Sequence, residues 1–246
     1  MNKLKIIKLN AIDSTNLFLK KMAENSLLEN YTTVLADEQN FGTGQRNTKW
    51  VSERGKNLIC SVFVKLKQLY ACNQRYLNFA VSISIYELLS ELGLPKLTVK
   101  WPNDILTAGI KLCGILVENK IKGNKIQWSV IGIGLNVNQS FKDIIDFEAT
   151  SIKDVLKKEF DLSQILSNLL IKLRVNISYL SDNEFEILEQ KYLNVLYKKN
   201  ITTVFKTKHE VLFEGKIIGV SKEGKLQIKL SDKTVKEFGI KEVAFA

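Results

Sequence analysis

The sequence predicts an α+β fold, and three observations carry that prediction. Apolar, strand-like runs recur up to residue 137, each bounded by polar or glycine-bearing turns. Among them, residues 74–92 keep a helical period, with Leu77, Ala80, Val81, Ser84, Ile85, Leu88 and Leu92 on one face. The last 50 residues then change character to short strands separated by glycine turns, which suggests a small β-barrel.

Taken in order, Asp13-Ser14-Thr15 offers side-chain oxygens to cap a helix that begins at Asn16. A β-prone run at 32–36 leads into a polar, glycine-bearing loop at 37–56, and 58–64 reads as a largely buried strand. Gly93 and Pro95 stop the helix at 74–92. A short strand at 98–101 follows. Two longer ones, 112–121 and 126–137, are joined by the hairpin turn Lys122-Gly123-Asn124-Lys125. From 151 to about 195 the chain reads as helical, with Asp161 and Gln164 as a capping box for a helix carrying Ile165, Leu169, Ile171 and Leu173. Strands at 202–205, 216–220 and 225–230 make up the terminal β segment, and no internal repeat is present.

The chain has 246 residues, 45% apolar and 25% charged, an ordinary globular balance. No apolar run approaches the roughly 18 residues of a membrane span, and the first residues lack the apolar block of a secretory signal. A cytoplasmic protein without membrane contact is expected. Cys60, Cys72 and Cys113 are scattered and His209 is the only histidine, so neither a disulfide framework nor a protein-built metal site is predicted. The formal charge of +10 is spread along the chain. That favours a solvated lysine-rich surface over a polynucleotide-binding stripe, while suiting acidic partners and phosphorylated ligands.

Four segments carry chemistry. In Gly42-Thr43-Gly44-Gln45-Arg46-Asn47, glycines let the backbone approach a ligand and turn amides toward an anion, although such a loop alone is as readily a plain turn. Lys100-Trp101-Pro102-Asn103-Asp104 ends a strand with a cation, a ring and two polar groups. Lys111 opens an apolar strand, Lys111-Leu112-Cys113-Gly114-Ile115-Leu116-Val117-Glu118, where a partly desolvated charge is strong toward anions or simply snorkels at the strand end. Gly132-Ile133-Gly134-Leu135-Asn136-Val137-Asn138 sets glycines and asparagines at a strand end, for which bulges are the bland explanation.

With Asp13-Ser14-Thr15-Asn16, the loop from Gln39 to Trp50, and Ala149-Thr150-Ser151, these segments in this order resemble the biotin protein ligases. The resemblance covers essentially the whole chain. It implies a mixed β-sheet backed by helices, a catalytic biotin- and ATP-binding domain over 1–196 and an SH3-like barrel over 197–246. It also implies two reactions: biotin and ATP give biotinyl-5'-AMP, and a lysine of a biotin carboxyl carrier domain then takes the biotin. The positions matching the family's biotin contacts are Ser14, Thr15, Asn16, Gln39, Thr43, Gly44, Gln45, Lys111 and Gly114, with Gly42 in the same loop. Arg46, Trp50, Lys100, Asn103, Asp104 and Asn136 match its nucleotide side. Lys111 is the first candidate to stabilise charge at the α-phosphate, with Arg46 and Asp104 as further catalytic candidates and Mg²⁺ riding on the triphosphate.

Many members read Gly-Arg-Gly-Arg in the loop, where this chain has Thr43 and Gln45. Lys49, Arg54 or Lys56 is expected to replace the missing cations in part, or the adenylate is held less tightly. A lipoate or octanoate ligase is the nearest rival, though those enzymes usually carry a histidine in a stretch that has none here. Cys113 lies two residues from Lys111, and on a regular strand would face the same way, raising a cysteine acyl-transferase as a further alternative. The Asp13 motif arrives after twelve residues, which leaves no room for the DNA-binding domain of regulatory relatives; a stand-alone ligase is expected. A strand edge near 112–137 is a candidate for carrier docking and for a homodimer.

Overall fold

A computed structural model describes residues 5–45, 48–66, 68–141 and 149–246. Seven strands form the main sheet: β1 (Ile6–Leu9), β2 (Thr33–Ala36), β3 (Leu58–Lys65), β4 (Leu97–Lys100), β5 (Asp104–Thr107), β6 (Ile110–Lys122) and β7 (Lys125–Leu135). Their order is β1-β2-β3-β7-β6-β5-β4. Only β1 and β2 run parallel, so the sheet is mixed as expected.

The faces of this sheet have different tasks. Val62, Val64, Ile131, Ile133, Leu135, Cys113 and Ile115 point into the large core against α2 (Gln74–Glu91). That helix is buried on several sides because α4 (Leu162–Ser181) and α5 (Phe185–Asn194) cover its back. The alternate residues Phe63 and Val130 pack with Leu19 of α1 (Thr15–Asn25) on the opposite face. This period-two division places α1 and the site on one face and the helical core on the other.

Local rules explain most boundaries. Ser14 caps α1, and the β6–β7 turn closes through Gly123 at φ +62 with Lys122 opposite Lys125. The box at Asp161 is only half made. Its carboxylate accepts from Ser163 N–H at 2.8 Å, but Gln164 turns along α4 to Asn168 instead of reaching back. Ile171 on the same helix faces solvent.

After the short α3 (Ile152–Leu156), the two longer helices lead to a second sheet, β8 (Thr202–Thr207), β9 (Leu212–Val220), β10 (Leu226–Leu230), β11 (Val235–Phe238) and β12 (Val243–Phe245), all antiparallel. Its order, β11-β10-β9-β8-β12, fits a small SH3-like domain, although its two edge strands do not pair with each other among the described residues. No described helix is long and apolar enough to cross a membrane. The two sheets are tied together where Trp101 Nε1–H donates to Gly224 O at 3.1 Å and where Val99 pairs with residues 195–197.

Candidate functional site

A cavity of about 1240 Å³ opens on the α1 face of the main sheet and runs on to the second sheet, where Phe205, Leu226 and Phe245 help wall it. Its volume exceeds the usual range for one small ligand. Lysines dominate its charge: Lys49, Lys100, Lys111, Lys206, Lys208 and Lys241 line it, against Asp104 and Glu210.

The floor is made by Gly114, Gly132 and Gly134. None of them sits at a bulge or has positive φ; Gly114 faces Gly134, and Leu116 faces Gly132, in regular register. Close approach is the reason for glycine here. A Cβ on Gly134 would stand 2.5 Å from the Trp50 ring, and one on Gly132 would stand 2.4 Å from Asn16 Oδ1. The bulge explanation suggested by the sequence is therefore replaced. Trp50 lies flat on this floor, its buried indole N–H without a partner among the described residues.

A bulge does occur beside Lys111. Ile105 pairs with Cys113 but Leu106 pairs with Lys111, leaving Leu112 as the extra residue. Both Leu112 and Cys113 then enter the core, and Lys111 is turned onto the site face beside Gly114. Strict alternation would have placed Lys111 and Cys113 together, so the expectation that they face the same way is overturned. The Lys111 side chain remains 37% exposed, with Nζ 2.8 Å from Asp104 Oδ1, a close ion pair outside hydrogen-bond alignment. Its ammonium also stands 5.9 Å from the centre of the Trp50 ring.

Cys113 is thereby removed from the chemistry. Burial first, and the Asp104 carboxylate second, push its thiol far above the ordinary range, with Lys111 opposing weakly; burial alone pushes Cys60 up to about 12. A thiol attacks only as thiolate, so neither is a nucleophile near neutrality. The native chain should therefore take up one equivalent of iodoacetamide at pH 8, on exposed Cys72, and three after denaturation. Rapid labelling of Cys113 in the folded state would contradict this burial. Since the unfolded thiols ionise near 9 and the folded ones only toward 12 or beyond, their contribution to stability is complete below pH 9 and declines above it.

At the α1 end, Ser14, Thr15, Asn16 and Gln39 reach the cavity. Gln39 Oε1 accepts from Thr15 N–H at 2.8 Å, which directs its amide nitrogen toward Gly42. Thr43, Gly44, Gln45 and Lys49 form the rim, with Thr43 and Lys49 bridged across the loop. Lys100, Asn103 and Asp104, expected on the nucleotide side, and Gly114, expected against biotin, also line the cavity. Asn103 also clamps β5 to β6, donating its amide to Ile115 O at 2.7 Å.

Two expected residues are placed otherwise, and a third is not among the described residues. Asn136 is buried away from the cavity and donates to Thr150 O, bracing the segment whose Ala149 bridges to Lys111. Gly42 sits behind the rim against Trp50 and Gln39. Arg46 lies outside the described residues. Of the substitute cations, Lys49 lines the cavity while Arg54 faces Glu38 and Lys56 lies elsewhere. The candidate docking edge also narrows: β7 is an interior strand, and only β6 beyond Ile115 lacks a second strand neighbour among the described residues. Ser61 and Glu118 bind the site's side chains from behind. For Ser61 the legible signal was a hydroxyl within the apolar run 58–64.

Similar proteins share this architecture. The Bacillus subtilis protein named Bifunctional ligase/repressor BirA is 26% identical over 236 residues, 94% of this chain and 70% of its own. The Mycobacterium tuberculosis protein named Biotin--[acetyl-CoA-carboxylase] ligase is 30% identical over 167 residues, 67% of this chain and 60% of its own. Among solved structures, the biotin protein ligase from Aquifex aeolicus in complex with biotin and ATP superposes with a TM-score of 0.80 at 25% identity, covering 98% of each chain. Residues 9–136, more than half of the chain and the stretch that holds α1, the glycine floor and Lys111, match the model of the Biotin/lipoate A/B protein ligase family, and to that family the chain belongs.

Proposed function

We propose that this protein is an ATP-dependent biotin protein ligase that forms biotinyl-5'-AMP and passes the biotin to a lysine of a biotin carboxyl carrier domain. The observation that carries this reading is Lys111, turned out of strand alternation onto a glycine floor in a lysine-lined cavity. In the first step a biotin carboxylate oxygen bonds to the α-phosphorus of ATP while the bond to pyrophosphate breaks. Negative charge builds on the non-bridging oxygens, and Lys111 is the cation held where it can meet both carboxylate and phosphate. In the second step a carrier lysine amine attacks the acyl carbon and AMP leaves; in this reading Asp104 takes the amine's proton or orients Lys111, with which it pairs at 2.8 Å. Magnesium enters with the nucleotide as MgATP. Phosphate oxygens and water are the ligands it takes in this reading.

Residues 1–196 form the catalytic unit and 197–246 the small accessory domain in this reading. The free part of β6 is the proposed edge for the carrier and for self-association, and the positive charge steers an acidic carrier toward it. The protein works in the cytoplasm, without DNA. Biotin-dependent exchange of pyrophosphate into ATP tests the reading: exchange with biotin supports it, and none with biotin, or faster exchange with lipoate, refutes it.

Lys49, opposite Thr43, is the rim cation that stands in for the family's arginines. Lys49→Ala should speed release of biotinyl-AMP about fivefold, the modest value expected of an exposed, screened contact. Rapid filtration of enzyme loaded with labelled adenylate measures this, and an unchanged release rate would remove Lys49 from phosphate binding. The unmodified enzyme should itself release adenylate faster than an arginine-bearing relative.

A further inference from the structure

We infer that Ser61 and Glu118, neither of which lines the cavity, are positioning residues that hold Thr15 and Gln39 as acceptors, so that the wall selects a ring offering N–H donors. The inference rests on the biotin reading and deepens it. Ser61 is fully buried in β3 and, by strand alternation, shares the α1 face with Phe63. Its Oγ stands 2.5 Å from Asn16 Oδ1 and 2.8 Å from Thr15 Oγ1.

The direction of each bond follows from the chain's ends. Asn16 Nδ2 donates to Glu118 Oε2 at 3.0 Å and to Leu116 O at 3.4 Å, and Lys20 holds the other Glu118 oxygen at 2.6 Å. That fixes the Asn16 amide with its carbonyl oxygen, a pure acceptor, toward Ser61. The single Ser61 proton therefore goes to Asn16, which leaves the one Thr15 hydroxyl proton to serve either Ser61 or Gln39 Oε1. Thr15 Oγ1 is also 2.9 Å from Gln39 Oε1, whose orientation is set by Thr15 N–H.

Three short oxygen–oxygen contacts thus share two hydroxyl protons. With the Ser61 proton committed at the shortest contact, Thr15 and Gln39 are left one donor short and turn lone pairs toward the cavity. A ligand ring with N–H groups meets that deficit, as a cyclic urea does; a dithiolane ring has no donor to give. Asn16, expected to touch the ligand, donates through Nδ2 to Glu118 and Leu116 O, accepts from Ser61, and acts through Ser61. Glycine at 132 is what lets it sit there, since a Cβ at that position would stand 2.4 Å from Asn16 Oδ1.

The test is steady-state pyrophosphate exchange on the whole enzyme, with biotin and with desthiobiotin, which keeps the cyclic urea but lacks the thioether ring. Ser61→Ala should raise KM for both ligands about tenfold, leaving KM for ATP and the rate at saturating biotin within twofold. Glu118→Met, at a half-exposed position, should raise both ligand KM values about threefold, since Leu116 O still restrains Asn16. The double variant should be no worse than Ser61→Ala alone, because both act through one chain of bonds. If Ser61→Ala fails to fold, Glu118→Met carries the test. Unchanged ligand KM values, an equal rise in KM for ATP, or an effect on biotin without desthiobiotin would overturn the inference. Absence of exchange by the unmodified enzyme would instead overturn the biotin reading itself.

Discussion

Lys111→Ala should lower biotin-dependent pyrophosphate exchange by about a thousandfold or more, roughly 4 kcal/mol of transition-state stabilisation. The size follows from its surroundings. Lys111 is the cation that the bulge at Leu112 turns onto the floor beside Gly114, and Asp104 at 2.8 Å holds its ammonium in place. Such a charge needs no reorganisation when negative charge develops on the phosphate, which is where a fixed cation gains most. Lys111→Arg should not restore the rate, since a guanidinium would pair bidentately with the Asp104 carboxylate and spread its charge, where the compact ammonium presents a point charge to the phosphate. Chemically supplied biotinyl-AMP separates the steps. Transfer to a carrier lysine from that reagent should fall far less than exchange, because the α-phosphate has already been attacked. Exchange within tenfold of the unmodified enzyme would remove Lys111 from the role.

Much of this site was legible in the sequence because its parts lie at strand ends and in turns, where residue type and backbone geometry are tightly linked. Ser14 and Thr15 announced the start of α1, and Pro102 to Asp104 the turn after β4, while the paired glycines stood out but were read as bulges and not as a floor. What stayed hidden depends on pairing between distant segments. The bulge opposite Leu106 reverses the side on which Lys111 emerges, and no local pattern in residues 110–118 signals it. Asn136 matched a motif yet spends its amide on Thr150 O, a partner chosen by tertiary packing. Ser61 escaped because one hydroxyl in an apolar strand is usually absorbed by the core. The short strands β1, β5, β11 and β12 were missed for a related reason: four residues or fewer, with charge or polarity mixed in, carry too little periodicity to be read.

Gly132→Ala is the second substitution with a large expected effect, and it separates a crowded site from a merely less stable protein. The new methyl carbon would meet Asn16 Oδ1 at 2.4 Å, Cγ at 2.9 Å and Nδ2 at 3.1 Å. Asn16 cannot yield cheaply, since Glu118, Leu116 O and Ser61 hold it on three sides. The strand cannot yield either, because β7 is paired on both sides, to β3 and to β6. Overpacking of this kind costs about 1–3 kcal/mol, or roughly 2–12 °C in melting temperature for a chain of this size. The same displacement pushes Asn16 and Thr15 out of line, so KM for biotin should rise by more than tenfold. Gly93→Ala is the matching control. At φ +84 it strains the backbone at the end of α2 and meets no atom within 4 Å of its new methyl, so it should lose about 1 kcal/mol and leave KM for biotin unchanged. Melting curves and biotin titrations on both variants decide the matter. Equal loss of stability with equal, unchanged KM values would show that Gly132 serves only packing.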